Sequence, residues 1–391
     1  MWSCQGKAVN INRALLGKIT WKKQGILSRY RHIYVCEKLP RSNLSYYAGV
    51  LTSQDDIFEN GKQKLPCVSG INKRDLAYLK EGDIALIEPN GMVNIVWEAN
   101  LPHNAILVTE DCNCNCLMCP QPPRKDQKYQ QEINLKLIGL IDREKTYQIG
   151  ISGGEPTLVG EDLFKLISLC RKKLPKAALL LLSNGRMFKE LDFSKRLAEI
   201  DHPDLTVCIA LYADTDREHD RIVGVKGSFY ESIKGIENLA LLKQKIEIRN
   251  VVQALNYRRL PQFAEFIYHN FPFVIHIAFM GLEIMGSALK NVNSVWIDPI
   301  EYITELKTAV KYLHRREMQV SIYNLQLCIL PRVLWRFSRK SISLWKNVYL
   351  NECEQCDFKE ECGGFFKTSG NWYSSNIRAL KKLDKSNYLN I

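Results

Sequence analysis

From residue 105 onwards the chain alternates short apolar runs with stretches of helical period, and this limits its fold more than any other feature. The runs are "AILVTE", "YQIGISG", "ALLLLSN", "LTVCIALY", "IEIRNVVQ" and "VIHIAFM". Between them lie "NLKLIGLIDRE", "EDLFKLISLCRKK", "FSKRLAEI", "FYESIKGIENLALLKQ" and "RRLPQFAEFIYHNF", and "DPIEYITELKTAVKYLHRRE" follows the last. Short continuous apolar runs read as buried strands, and the intervening segments as amphipathic helices. Strands that alternate with helices pair in parallel, because each crossover returns the chain to the same end of the sheet. Six such units are too few to close an eightfold barrel. The expected fold is therefore α/β, an open partial (β/α)6 barrel over residues 101–320. Its working loops should lie beyond the C-terminal ends of the strands.

The flanks differ. Residues 1–100 hold short β-like runs split by turn signals. In "EGDIALIEPNGMVNIVWE" a Pro-Asn-Gly turn joins two strands. A small β-rich N-terminal domain is expected there, with no legible function. Residues 321–391 lose the βα rhythm, carry a second group of cysteines and end in a polar tail.

No apolar run approaches the roughly 18–20 residues of a membrane span. The start, "MWSCQGKAVNINRALLGK", lacks an apolar core before a small-residue cleavage site. A cytoplasmic protein without membrane contact is expected. In a reducing compartment, 13 cysteines point to metal sites or catalysis instead of disulfides. The net charge of +12 is partly concentrated in "KITWKKQGILSRYRH" and "RVLWRFSRK". Such stretches are solvated basic faces or meet an anionic partner, and charge alone does not choose.

Seven cysteines fall in two groups. The first is "TEDCNCNCLMCPQPP", just past the first strand, with Cys112, Cys114, Cys116 and Cys119. Soft thiolates suit iron–sulfur clusters or zinc. Several spacings can be drawn; one is CxxxCxxC, over Cys112, Cys116 and Cys119. A structural zinc site would use all four sulfurs in a closed tetrahedron. One unit later, "ISGGEPTL" follows the second strand and precedes a helix. Its Gly-Gly pair allows close backbone approach. Alone, that tetrapeptide could be an ordinary strand-to-helix turn.

Together, CxxxCxxC after a first strand and Gly153-Gly154-Glu155-Pro156 after the second resemble the radical SAM superfamily. The resemblance implies a [4Fe-4S] cluster held by Cys112, Cys116 and Cys119. Its fourth iron chelates S-adenosylmethionine (SAM), and an electron from the cluster yields a 5′-deoxyadenosyl radical. Cys114 is then the supernumerary thiol. The backbone and acid of Gly153, Gly154, Glu155 and Pro156 would receive the SAM ammonium. Ser183 and Asn184 after the third strand, Tyr212 and Asp214 after the fourth, and Gln253 and Asn256 after the fifth could face the cofactor. Plain loop polarity explains these six about as well. His219 and Asp220 are read as bracing their loop, and His276 as a core histidine.

The second group, Cys353, Cys356 and Cys362, has CxxCxxxxxC spacing followed by Gly363 and Gly364. It resembles the central part of the SPASM extension of peptide-modifying radical SAM enzymes, in truncated, twitch-like form. Phe366 stands where the next cysteine would fall. With Cys328 as a fourth sulfur, a second, auxiliary [4Fe-4S] cluster is implied. A Cys4 zinc knuckle from the same residues is the alternative.

"NAILVTEDCNCNCLMCPQPP" and "SISLWKNVYLNECEQCDFKEECGGFF" are similar to the C-type radical SAM maturases of the His-Xaa-Ser peptide system, over roughly residues 80–375. The resemblance implies oxidative modification of a ribosomally made precursor peptide. It also implies a possible partner maturase and an electron donor of the flavodoxin or ferredoxin type. Radical chemistry on RNA or a nucleotide is the second reading, and a non-catalytic zinc scaffold the third.

Overall fold

The computed structural model describes residues 2–40, 43–55, 65–124, 130–341 and 346–382. Two sheets organise it. The first contains β1 (Ser3–Gln5), β2 (Lys7–Val9), β3 (Leu15–Thr20), β4 (His32–Cys36), β5 (Gly49–Thr52), β6 (Cys67–Ser69), β7 (Ile84–Ile87) and β8 (Met92–Trp97). Their order is β1-β8-β7-β3-β4-β5-β6-β2. The hairpin of β7 and β8 is antiparallel, as the Pro-Asn-Gly turn predicts, and Gly91 takes φ +86° there. β3, β4, β5 and β6 pair in parallel, which no local turn signal announces. One short helix, α1 (Lys73–Tyr78), is capped by the Asn72 side chain, which accepts from the Arg74 N–H.

The second sheet is all parallel. It runs in chain order through β9 (His103–Leu107), β10 (Gln148–Ser152), β11 (Ala178–Ser183), β12 (Leu205–Ala210), β13 (Lys245–Val252) and β14 (His276–Gly281). Those are the six strands of the expected half-barrel. The sheet then continues through β15 (Val320–Tyr323) and β16 (Ser338–Arg339), past the boundary expected at residue 320. These two strands have four and two residues, too short to leave a periodic signal.

Six helices follow these strands: α2 (Gln130–Leu140), α3 (Glu161–Lys173), α4 (Leu191–Glu199), α5 (Asp216–Val223), α6 (Ser228–Leu241) and α7 (Leu260–Asn270); all but α5, which packs on the cysteine loop through Ile222 and Met118, join the core on one face of this sheet. Two single turns, α8 (Ser287–Lys290) and α9 (Val292–Val295), then α10 (Ile303–His314) and α11 (Arg332–Trp335), complete the set. α3 shows why such segments are helical. Leu163, Phe164, Leu166, Ile167 and Cys170 form its buried stripe. Glu161 and Asp162 open it and Arg171, Lys172 and Lys173 close it, as the macrodipole favours.

The strands divide their side chains by alternation. Ile149, Ile151, Leu179, Leu181, Val207, Ile209, Ile246, Ile248, Ile277 and Phe279 join the helices in one core. Ile84 and Trp97 of the first sheet belong to the same core, so the two sheets pack as neighbours. The intervening residues occupy the opposite, concave face, and several are polar. There Glu247 pairs with Arg249 at 2.5 Å and meets His276 Nδ1 at 2.8 Å, and His276 Nε2 lies 2.9 Å from Ser321 Oγ. Burial opposes the Glu247 charge, but His276 and Arg249 hold its carboxyl down at about 2. Among the described residues no helix is long and apolar enough to cross a membrane.

α6 approaches the turn after β11 so closely that a Cβ on Gly235 would lie 2.2 Å from the Gly185 carbonyl oxygen and 3.1 Å from Phe188 Cβ. Backbone cannot yield there as a side chain would. Gly235→Ala is expected to destabilise the fold by about 1–3 kcal/mol, read as a lower urea midpoint. An unchanged midpoint would show that α6 can move away freely.

Candidate active site

The loop after β9 is held by backbone bonds from three directions. Asn115 N–H and Leu117 N–H donate to the carbonyls of Val223 and Ile222 at the end of α5, each at 2.9 Å. Ser287 N–H donates to the Cys119 carbonyl at 2.8 Å, and Asn291 Nδ2 to the Leu117 carbonyl at 2.9 Å. From below, Gly154 N–H donates to the Thr109 carbonyl and Glu155 N–H to the Asp111 carbonyl, both at 2.8 Å.

The last pair explains the two glycines. A Cβ on Gly153 would stand 2.6 Å from the Thr109 oxygen, and one on Gly154 2.3 Å from the Asp111 oxygen. The close approach they allow is thus to the cysteine loop itself, where sequence reasoning looked first to a ligand.

Glu155 is fully buried. Its Oε1 accepts from Thr157 N–H (3.1 Å), Thr157 Oγ1 (2.6 Å) and Ser183 Oγ (2.8 Å), and its Oε2 from Asn184 N–H (2.7 Å). Burial raises the carboxyl, and these donors oppose that rise. Both oxygens are engaged inside the protein, tying the Gly-Gly-Glu-Pro turn to the end of β11. Ser183 is occupied in the same way, since its Oγ also accepts from Gly185 N–H at 3.0 Å.

Asn184 reaches the cysteine loop: its Nδ2 donates to Asn113 Oδ1 at 2.7 Å and lies 3.4 Å from Cys114 Sγ. Arg186, which sequence reasoning passed over, donates to the Asn113 carbonyl, stands 3.6 Å from Cys114 Sγ and pairs with Glu231. No linear signal links residues so far apart along the chain.

The thiols are gathered unevenly. Cys114 is buried; its N–H donates to Cys112 Sγ at 3.4 Å, and Arg186 stands 3.6 Å from its sulfur. These contacts hold the Cys114 thiol well below its ordinary value, and Cys114 and burial push Cys112 and Cys116 up. Cys119 Sγ instead points to the Gln121 carbonyl at 3.0 Å. The structure therefore groups the expected bystander with two of the three expected ligands.

The remaining candidates separate. Tyr212 stacks on His219, with ring centroids 5.8 Å apart, and lies near the cysteines. Burial and then the surrounding thiols drive its phenol well above the usual value. His219 Nδ1 accepts from Tyr212 N–H at 3.3 Å, and burial pushes its imidazole down to about 4. Asp220 accepts from Gly227 N–H and Phe229 N–H at the start of α6. Asp214 is paired with Arg259 through Nε (2.9 Å) and Nη2 (2.5 Å), and so faces a guanidinium and not an open site. Asn256 braces its own loop, donating to the Tyr212 and Val251 carbonyls.

Gln253 stands apart. It is fully buried at the end of β13, and neither its Oε1 nor its Nε2 has a partner. Such an amide costs folding free energy unless a ligand satisfies it. The thiols and this orphaned amide fit an iron–sulfur cluster with a polar organic cosubstrate.

Cys328, Cys353, Cys356 and Cys362 line one small cavity with Tyr349, Phe358 and Arg378. Two backbone N–H groups already point at sulfur there: Leu327 to Cys362 and Leu380 to Cys356, each at 3.4 Å. Among the described residues, no group of His, Cys, Asp or Glu stands close enough together to hold a single metal ion. Phe366 is buried, a core residue at the position where a further cysteine would fall.

Residues 106–267 match the family model described as the radical SAM superfamily. Fe-coproporphyrin III synthase of Methanosarcina barkeri is 26% identical over 190 residues, covering 48% of this chain and 45% of that protein. The chain thus spans less than half of that curated relative. Among solved structures, SuiB of Streptococcus suis bound to S-adenosylmethionine aligns at a TM-score of 0.47 with 16% identity, over 57% of this chain and 51% of that one. Native anSMEcpe with bound AdoMet aligns at 0.43 with 18% identity, over 56% of this chain and 63% of that one. The matched span, which holds the cysteine loop and five of the half-barrel's strands, is similar to the radical SAM superfamily.

Proposed function

We propose that this chain is a radical SAM enzyme that oxidatively modifies a ribosomally made peptide of the His-Xaa-Ser type. The observation that carries the chemistry is the Gly-Gly-Glu-Pro turn bonded directly to the cysteine loop. Cys112, Cys116 and Cys119 would hold the [4Fe-4S] cluster, by their spacing. When bound, the cluster supplies the electron that splits SAM and generates the 5′-deoxyadenosyl radical.

The chain's own groups do the rest. The Gly153 and Gly154 backbone lies beside the cysteine loop, where a SAM amino group can be received. Glu155 holds that turn against β11. Gln253 offers its amide to the polar adenosine end. Tyr212 shields the cysteine side from water. The peptide assignment is supported by the likeness around "CLMCPQPP" and by the C-terminal extension that gathers four more thiols. Cys328, Cys353, Cys356 and Cys362 would hold an auxiliary cluster able to take the electron that the substrate radical gives up as it loses a proton.

Four outcomes test this reading. Reduced anaerobically with SAM, the protein is expected to form 5′-deoxyadenosine, and Cys112→Ala, Cys116→Ala and Cys119→Ala to abolish it. Cys114→Ser should keep both iron and activity; loss of iron in that variant would assign Cys114 to the ligand set. Gln253→Leu is expected to resist urea at least as well as wild type while binding SAM about tenfold more weakly. Weaker folding with unchanged SAM affinity would mean that the amide serves the fold alone. Co-expressed with a His-Xaa-Ser precursor, the enzyme should leave a peptide lacking two hydrogens per modified site. A peptide of unchanged mass, or activity on RNA with steep salt dependence, would move the substrate elsewhere.

A further inference from the structure

Arg186 reaches the cysteine loop from the turn after β11 and brings two charged neighbours with it. Its Nη1 donates to the Asn113 carbonyl, and the same nitrogen stands 3.6 Å from Cys114 Sγ. Its Nε donates to Glu231 Oε2 at 2.5 Å. Glu231 Oε1 accepts from Lys189 Nζ at 2.6 Å. Two cations thus meet one carboxylate, which leaves an excess of positive charge beside the thiols. The Arg186 side chain is 14% exposed and that of Glu231 26%, so solvent screens neither fully.

The group cannot drift from the loop. Arg186 N–H donates to Asn184 Oδ1 at 3.0 Å. Glu231 sits on α6, which is fastened to the same turn. Ser232 Oγ donates to the Asn184 carbonyl at 2.8 Å, and Asn238 Nδ2 to the carbonyls of Phe188 (2.9 Å) and Lys189 (2.8 Å). The acids nearer the loop are otherwise occupied. Glu155 is enclosed by its four donors, and exposed Asp111 accepts from Cys112 N–H.

A strut for the Asn113 carbonyl needs no charge. A neutral amide would serve, as Asn184 does for the Asn113 side chain. A buried guanidinium carries a desolvation cost that an amide avoids. That cost is offset where a nearby group gains negative charge. Iron–sulfur centres held by thiolates do so when they accept an electron, and neighbouring charge moves their potential. We propose that Arg186 sets the reduction potential of the cluster at Cys112, Cys116 and Cys119, with Glu231 as its counterweight. The assignment rests on the cluster proposed above. The step it governs makes and breaks no bond: a low-potential flavodoxin- or ferredoxin-type donor is oxidised by one electron, and the cluster is reduced by it. Arg186 acts through the cluster and is a positioning residue, not a catalytic one.

The test is a redox titration of the anaerobically purified, iron-loaded full chain, followed by electron paramagnetic resonance. The midpoint is read on the component whose shape SAM alters, which separates it from any signal of the C-terminal cysteines. Arg186→Gln is expected to shift the midpoint to more negative potential. The reduced-to-oxidised ratio at fixed potential should fall about tenfold, which is about 59 mV for a one-electron couple. Arg186→Lys keeps the charge and should shift clearly less. Glu231→Gln removes the counterweight and should shift the midpoint the opposite way. A purely structural Arg186 predicts no such reversal of sign. If Arg186→Gln fails to hold iron, Glu231→Gln carries the expectation alone: a positive shift supports the assignment, and a negative shift or none overturns it. Midpoints that stay put or move together in cluster-bearing variants, or a lysine variant that falls as far as the glutamine one, would overturn it and leave the radical reading standing. A protein without an iron–sulfur signal would overturn both.

Discussion

The site depends on two backbone hydrogen bonds, from Gly154 N–H to Thr109 and from Glu155 N–H to Asp111. They join the turn after the second barrel strand to the loop after the first. They can form because positions 153 and 154 carry no Cβ. Glu155 extends the connection: its carboxylate collects donors from Thr157, Ser183 and Asn184, so the third strand is tied to the same point. Asn184 and Arg186 then return to Asn113 and Cys114. Three strand ends and one loop form a closed ring of polar contacts around the thiols. A carboxylate buried this deeply is tolerable only because its acceptor positions are filled.

The concave face below follows the same rule. Arg249, Glu247, His276 and Ser321 would be costly singly in a barrel interior, and they occur as one bonded series. Removing one member of such a series costs more than the series contributes, because its partner stays buried and unpaired. Gln253 and Glu283 break the rule. They lie at the ends of adjacent strands and keep unpartnered atoms. Polar groups left unsatisfied at a barrel mouth are where ligand contacts are expected.

Much of this was legible in the residues. The apolar runs place the six strands of the half-barrel, because strands buried on both faces are continuous in sequence. The cysteine spacing and Gly-Gly-Glu-Pro are local motifs, so the candidate site could be named from the sequence, and the structure brings the two together. Long-range pairing was not legible. The parallel strands of the first sheet, the late strands β15 and β16, and the Arg259 that occupies Asp214 depend on residues far apart along the chain. The grouping of Cys114 with Cys112 and Cys116 depends on Arg186 and Asn184, which approach from another strand. Glu283 left no sequence signal, since a single acid in "GLEIMG" becomes unusual only once it is buried.

The central claim is that the first cysteine loop holds an iron–sulfur cluster with one iron open to SAM. The most direct measurement is electron paramagnetic resonance of the reduced, anaerobic protein before and after SAM is added. The account predicts an iron–sulfur signal whose shape changes on adding SAM, in wild type and in Cys114→Ser alike. A zinc-only protein without the signal, or an iron–sulfur signal indifferent to SAM, would contradict it.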